Sequence, residues 1–189
     1  MKQNIIWGLT ALCIAGPALA EIAVDVSDDT AHVGYTQVLR TDARGTLQAD
    51  ATALHNGDEG TLAAAGLFVQ GDAGASQANV LASLGGRVYY VDSDEADAQS
   101  AALGLGARVR ATLPAYDRLG LVGELHWAPE VLSALDGEGL VWASVQAEYQ
   151  VLRSATVYAG LRELEADFDA DEGSVTIDDG WFLGLQLDL

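Results

Sequence analysis

The polar–apolar pattern is clearest at the end of the chain, over Gly180–Leu189. There Trp181, Leu183, Leu185, Leu187 and Leu189 are apolar, and Phe182, Gly184, Gln186 and Asp188 lie between them. Period-two alternation marks a strand with one oily face and one small or polar face. The pattern recurs over Gln99–Thr112, where Ala101, Leu103, Leu105, Ala107 and Val109 oppose Gly104, Gly106, Arg108 and Arg110. Over Leu119–Ala128 it turns Leu119, Leu121, Leu125 and Trp127 one way and Glu124 and His126 the other. Val141–Val151 sets Ala143, Val145, Ala147 and Tyr149 against Ser144, Gln146, Glu148 and Gln150. Thr46–His55 sets Leu47, Ala49, Ala51 and Ala53 against Gln48, Asp50, Thr52 and Leu54. Weaker versions occupy Glu21–Val26, Ala31–Arg40, Thr61–Gln70, Asn79–Val91 and Thr156–Glu165.

Turn chemistry separates these runs. Ser27–Thr30, Thr41–Gly45, Gly71–Gln77, Asp92–Asp97, Pro114–Arg118 and Leu152–Ser154 are short, and Asn56-Gly57 carries the hairpin signal for positive φ. Longer loops are expected over Pro129–Gly139 and over 166–179. Ten strands of about ten residues have the length a tilted membrane-crossing strand needs. The number is even, as antiparallel closure of a single chain requires. The sequence therefore predicts an all-β, transmembrane, antiparallel up-and-down β-barrel of ten strands. Eight is the alternative if Glu21–Val26 is no strand and two others merge.

A soluble sandwich alternates as well, but its polar face meets water and carries many charges per strand. Here the alternate face is mostly Gly, Ser, Thr and Gln with isolated charges. Tyr89, Tyr90, Trp127, Trp142, Tyr149, Tyr158 and Trp181 fall toward strand ends, where membrane girdles are expected. After the first twenty residues no apolar run reaches the roughly 18 positions of a spanning helix.

Residues 1–20 read differently. Lys2, the apolar run from Ile5 to Ala15, Pro17 and a closing Ala18-Leu19-Ala20 form a secretory signal peptide, with cleavage expected before Glu21. Leu12 before Cys13 does not suit a lipoprotein signal. Residues 21–189 then form one domain without Lys or Cys, and its eight Arg against 28 acids leave a net charge of −20. A cysteine-free chain carries no disulfide framework. Acidity on this scale argues against nucleic acid as a partner, which needs clustered Lys and Arg.

With both termini in the periplasm, charge divides by side. Asp28, Asp29, Asp58, Glu59, Asp92, Asp94, Glu95, Asp97, Glu130, Asp136, Glu138, Asp167, Asp169, Asp171, Glu172, Asp178 and Asp179 fall in outer loops without an Arg. Arg40, Arg44, Arg118 and Arg153 sit at or beside inner turns.

The stretch Gly123-Glu124-Leu125-His126-Trp127-Ala128-Pro129-Glu130 resembles the YfaZ family of outer-membrane proteins, in which a Gly-Glu-aromatic strand ending in Ala-Pro-acid is typical. Gly104-Leu105-Gly106, Tyr158-Ala159-Gly160-Leu161-Arg162 and the Gly-rich last strand are similar too, so the likeness runs from about Gly85 to Leu189. His126-Trp127 stands where paired tyrosines are usual, and Leu189 replaces a common final Phe. The resemblance implies an outer-membrane barrel and no particular reaction.

By parity, Arg87, Arg108, Arg110 and Arg162 face the same lumen as Asp50, Glu124, Glu148 and Asp188. Buried charges must be paired, because an unpaired one costs several kcal/mol. A lumen charge network of Asp50, Arg87, Arg108, Arg110, Glu124, His126, Glu148 and Arg162 is expected, in a lumen that is filled or very narrow. The Pro114–Arg118 hairpin brings Glu124 and Arg108 to similar height, which makes them the leading pair. The expected role is structural rather than catalytic, with no cofactor and no metal. The alternative is a narrow channel for small solutes or ions. A hydrolase using His126 with Ser133 or Ser144 is a lesser reading, since no elbow motif surrounds either serine. His32 and His55 fall near different loops. Asp167–Gly173 has acids spaced like a calcium loop, but its Gly is one residue late and Asp178 stands where Glu is usual. The expected partners are outer-membrane lipid and the barrel-assembly machinery during insertion, around a monomer.

Overall fold

A computed structural model describes residues 19–74, 79–93, 98–112, 114–168 and 173–189. The signal-peptide expectation for residues 1–20 falls almost wholly outside them. The strands are β1 (Ala20–Val26), β2 (Thr30–Asp42), β3 (Gly45–Asn56), β4 (Gly60–Asp72), β5 (Asn79–Ser93) and β6 (Ala98–Thr112). They continue as β7 (Leu119–Ala128), β8 (Ser133–Leu135), β9 (Gly137–Leu152), β10 (Ala155–Phe168) and β11 (Ser174–Asp188).

Neighbours along the chain pair antiparallel from β1 to β7, then β7 with β9, β9 with β10 and β10 with β11. The alternating pattern at the C-terminus closes the wall: β11 pairs with β1, from Glu21 opposite Asp188 to Val26 opposite Leu183. Ten long strands thus form a closed antiparallel barrel. One end carries the start of β1, the end of β11 and the connections after β2, β4, β6 and β9. We call it the terminal end and its opposite the far end.

The strands are longer than the alternation indicates, reaching 16 residues in β9. The stretch 166–179, expected as an acidic loop, is mostly strand, since β10 runs to Phe168 and β11 begins at Ser174. Opposite Leu164 and Glu165 the register on β11 passes from Asp178 to Thr176, skipping Ile177. This bulge turns both Ile177 and Asp178 inward, 0% and 5% exposed. Asp178 is therefore a lumen acid, not a loop acid. The Pro129–Gly139 loop is also structured. β7 stops at Ala128 while β6 continues toward the far end, and β8 fills the gap by pairing Ser133–Leu135 with Ala102–Ser100.

The outward face is apolar around the barrel. Leu67, Leu84, Val88, Leu105, Leu121, Leu125, Trp127, Val145, Leu161, Trp181 and Leu183 are all exposed, Trp181 at 73%. Tyr90, Trp127, Tyr149 and Trp181 point outward, as a girdle requires. Tyr89, Trp142 and Tyr158 do not. They are at most 5% exposed and pack inside the barrel, because they share parity with Arg87, Ser144 and Arg162. Their assignment to girdles is corrected accordingly.

The interior has two unlike halves. Toward the far end, Leu54, Leu62, Tyr89, Val91, Leu140, Trp142, Leu164, Phe168, Val175 and Ile177 form one buried apolar cluster. Toward the terminal end the lumen is lined by polar and charged side chains. Two inward glycines make room at the boundary. Gly106 is the register partner of His126 and Gly184 that of Tyr158, and a Cβ at either would run into the partner's ring.

Candidate functional site

The polar half of the lumen encloses a chamber with room for water over about 140 Å³. That is on the order of ten water-sized volumes. Its lining includes Glu21, Asp25, His32, Gln48, Asp50, Thr52, Gln70, Arg87, Arg108, Arg110, Glu124, Gln146, Glu148 and Arg162. Strand parity places them on the inward faces of their strands, and Asp25 and His32 stand nearest the far end, His32 opposite Leu54 in register.

The first cluster centres on Glu124 of β7. Arg108 is its register partner on β6, and its Nε and Nη2 donate to Glu124 Oε2 at 2.8 and 2.6 Å. His126 Nε2 lies 2.6 Å from Glu124 Oε1. Arg87 of β5 places Nη1 3.4 Å from the same oxygen, while its Nη2 donates to Asp50 of β3. The Arg87 guanidinium also lies 5.5 Å from the Phe68 ring, 5.9 Å from Tyr89 and 5.7 Å from Trp142, so the apolar half covers one side of it. A cation shielded this way keeps its ion pairs from being screened by water.

The second cluster centres on Asp25 of β1. Arg162 Nη1 donates to Asp25 Oδ1 at 2.9 Å, and Arg162 Nε to Asp178 Oδ2 at 2.5 Å. Tyr158 Oη donates to Asp25 Oδ2 at 2.9 Å, and His32 Nδ1 lies 2.6 Å from that oxygen. Ser27 Oγ, at the far-end turn, donates to Asp178 Oδ1 at 3.0 Å. Trp142 is shared by the two clusters, its ring 5.8 Å from the Arg162 guanidinium and 5.7 Å from that of Arg87. Nearer the terminal rim, Arg110 Nη2 lies 2.8 Å from Glu148 Oε2, and Gln146 Nε2 donates to Glu148 Oε1.

All eight residues expected in the lumen network line it or pack against it. Asp188, grouped with them by parity, ends at the rim and is exposed. Sequence reasoning missed Asp25, His32 and Asp178. Asp25 sits on the short strand whose alternation is faint, and Asp178 lies beyond a bulge that pattern counting does not see. His32 was detectable, because His32, Gly34 and Thr36 alternate with Ala31, Val33 and Tyr35.

The serines proposed beside His126 do not meet it. Ser133 Oγ donates to the Pro129 carbonyl at 3.2 Å, and neither Ser133 nor Ser144 is a hydrogen-bond partner of His126. Most of the calcium-like run, from Asp169 to Glu172, lies outside the described residues, as do Asp94, Glu95 and Asp97. Its closing acid, Asp178, is ion-paired with Arg162. His55 is apart from the chamber, with Nδ1 2.9 Å from Thr61 Oγ1 on the exposed surface.

A family model described as YfaZ precursor matches residues 4–189, including the first half that the motif likeness left out. A solved structure described as "Unveiling the Mechanism Behind the in-meso Crystallization of Membrane Proteins" is similar over 91% of this chain and 83% of its own, at 10% identity and a TM-score of 0.48. No curated protein matches the chain.

Proposed function

Since the chain belongs to the YfaZ precursor family, we propose that it is exported and inserted as a monomeric integral barrel of the outer membrane, with its termini in the periplasm. The observation that carries this reading is the outward face. Leu84, Leu105, Leu121, Leu125, Trp127, Trp181 and Leu183 are each more than half exposed, on four different strands. Soluble monomers rarely expose contiguous apolar patches beyond a few hundred Å², and lipid tails are the solvent this surface suits. The same face supports outer-membrane lipid as the standing partner and the barrel-assembly machinery as a transient one. Nucleic acid has no basic surface to meet.

Within this reading the lumen is a blind chamber open to the periplasm. Arg108 and Arg110 keep 39% and 40% of their side chains exposed, on the terminal side. On the other side Leu54, Leu62, Leu164 and Ile177 are at most 1% exposed. The role supported is that of a structural barrel whose lumen is narrow and closed toward the far end; the apolar half argues against a through-channel. The test is to refold residues 21–189 with and without detergent or lipid. A folded barrel that resists SDS until heated, obtained only with lipid or detergent, is expected. A soluble folded monomer in plain buffer would overturn the reading.

A further inference from the structure

His32 on β2 joins two side chains from the strands on either side of it. Its Nδ1 lies 2.6 Å from Asp25 Oδ2, and its Nε2 is hydrogen-bonded to Thr52 Oγ1 on β3. An imidazole that gives its Nδ1 proton to a carboxylate presents Nε2 as a base, and a hydroxyl on that nitrogen is a nucleophile in waiting. The carboxylate is itself held from two further directions, by Tyr158 Oη and Arg162 Nη1, each at 2.9 Å. The imidazole stands edge-on to Trp142, with ring centres 5.9 Å apart, which fixes its plane.

The arrangement opens on the chamber. Asp25, His32 and Thr52 all line it. The register partner of Thr52 on β2 is Gly34, so the wall beside the hydroxyl carries no side chain. Thr52 Oγ1 also lies 3.1 Å from the Val33 carbonyl oxygen, and rotation about the Cβ–Oγ bond redirects its proton from that oxygen to the imidazole. Nucleophile, base and orienting acid are thus in hydrogen-bond contact, beside the chamber.

We propose that Asp25, His32 and Thr52 form an acyl-transfer relay that hydrolyses short-chain acyl esters entering the chamber from the terminal end. Thr52 Oγ forms a bond to the ester carbonyl carbon as its proton passes to His32 Nε2. The carbon–oxygen bond to the leaving alcohol breaks, and His32 returns that proton to the alcohol. Water then attacks the acyl-threonine through the same base, releasing the carboxylic acid and restoring the hydroxyl. Atoms balance without an oxidant or cofactor. A polar space of about 140 Å³ suits an acyl group of a few carbons. The relay does not depend on where the barrel resides.

The test uses the refolded barrel in detergent micelles, p-nitrophenyl acetate as substrate and a fluorophosphonate probe, with the adduct located by peptide mass. Labelling of Thr52 is expected, with turnover retained in Thr52→Ser. Turnover should fall at least about a hundredfold in Thr52→Val and in His32→Gln, the scale of losing a positioned base. A folded barrel that leaves Thr52 unlabelled, or a Thr52→Val variant that hydrolyses as fast as the parent, overturns the relay and leaves the three hydrogen bonds as wall filling. If the Val or Gln variant does not fold, labelling of the unsubstituted chain and the Thr52→Ser rate decide.

Discussion

Arg162 on β10 and Asp25 on β1 meet across the closing strand β11, Nη1 to Oδ1 at 2.9 Å, with side chains only 3% and 2% exposed. The pair therefore spans the seam where the two ends of the chain join. Removing one member of a buried pair leaves an uncompensated charge and costs about 3–5 kcal/mol. Asp25→Asn should lower unfolding free energy on that scale in urea titrations of the micelle-bound barrel. Arg40→Gln, which breaks an ion pair to Asp42 with side chains 73% and 40% exposed, should cost about 0–1 kcal/mol.

The outward face gives a second prediction. Leu125 is 55% exposed near the middle of β7. At the centre of a bilayer an Arg in its place costs about 2–4 kcal/mol. On a water-exposed surface the same change stays within about 0.5 kcal/mol. Folding of Leu125→Arg into lipid vesicles, measured against the parent, separates the two.

Tryptophans give a third, without altering charge. Of the three in residues 21–189, Trp127 and Trp181 face outward and Trp142 is 5% exposed inside. Brominated lipid should quench variants that retain only Trp127 or only Trp181. A variant that retains only Trp142 should keep its emission.

Much of this architecture was legible in the sequence, and the misses have particular causes. Alternation located every long strand and predicted the Arg108–Glu124 alignment, because parity and one tight hairpin are enough to specify register. Parity does not say what an inward position meets. Tyr89, Trp142 and Tyr158 suit a girdle by type, but their neighbours on the same face are lumen residues. Two inward residues in succession, Ile177 and Asp178, break the period and so concealed both the length of β11 and the acid beside Arg162. The separation of the lumen into an apolar half and a polar half was also hidden. Leu54 and Leu62 look like faults in the polar face until their strands are brought together.

The inward glycines supply a fourth prediction. Gly184→Ala would push a methyl group into the Tyr158 ring, and overpacking of that kind typically costs about 1–3 kcal/mol. Gly123 faces outward with nothing near its missing Cβ, so Gly123→Ala should be neutral within about 0.5 kcal/mol. Thermal midpoints read from gel mobility shifts would compare them directly.

Finally, the apolar half predicts electrical silence. Under the proposed blind-chamber reading, planar bilayers holding the parent barrel should show no steady conductance, the expected block being the buried cluster of Leu62, Leu164 and Ile177. Leu164→Ala should cost about 2–5 kcal/mol, the usual range for a buried truncation. Steady conductance from the parent would instead favour the narrow-channel alternative.

The pairing of β1 with β11 imposes a condition on assembly. Strand β1 finds its second neighbour only in β11, so a chain that lacks β11 cannot complete this cylinder. Contacts so distant along a polymer form slowly, because the intervening loop must be brought round first. A transcript cut before β11 would therefore yield a sheet with two bare margins and nothing to join them, open to invasion by other chains.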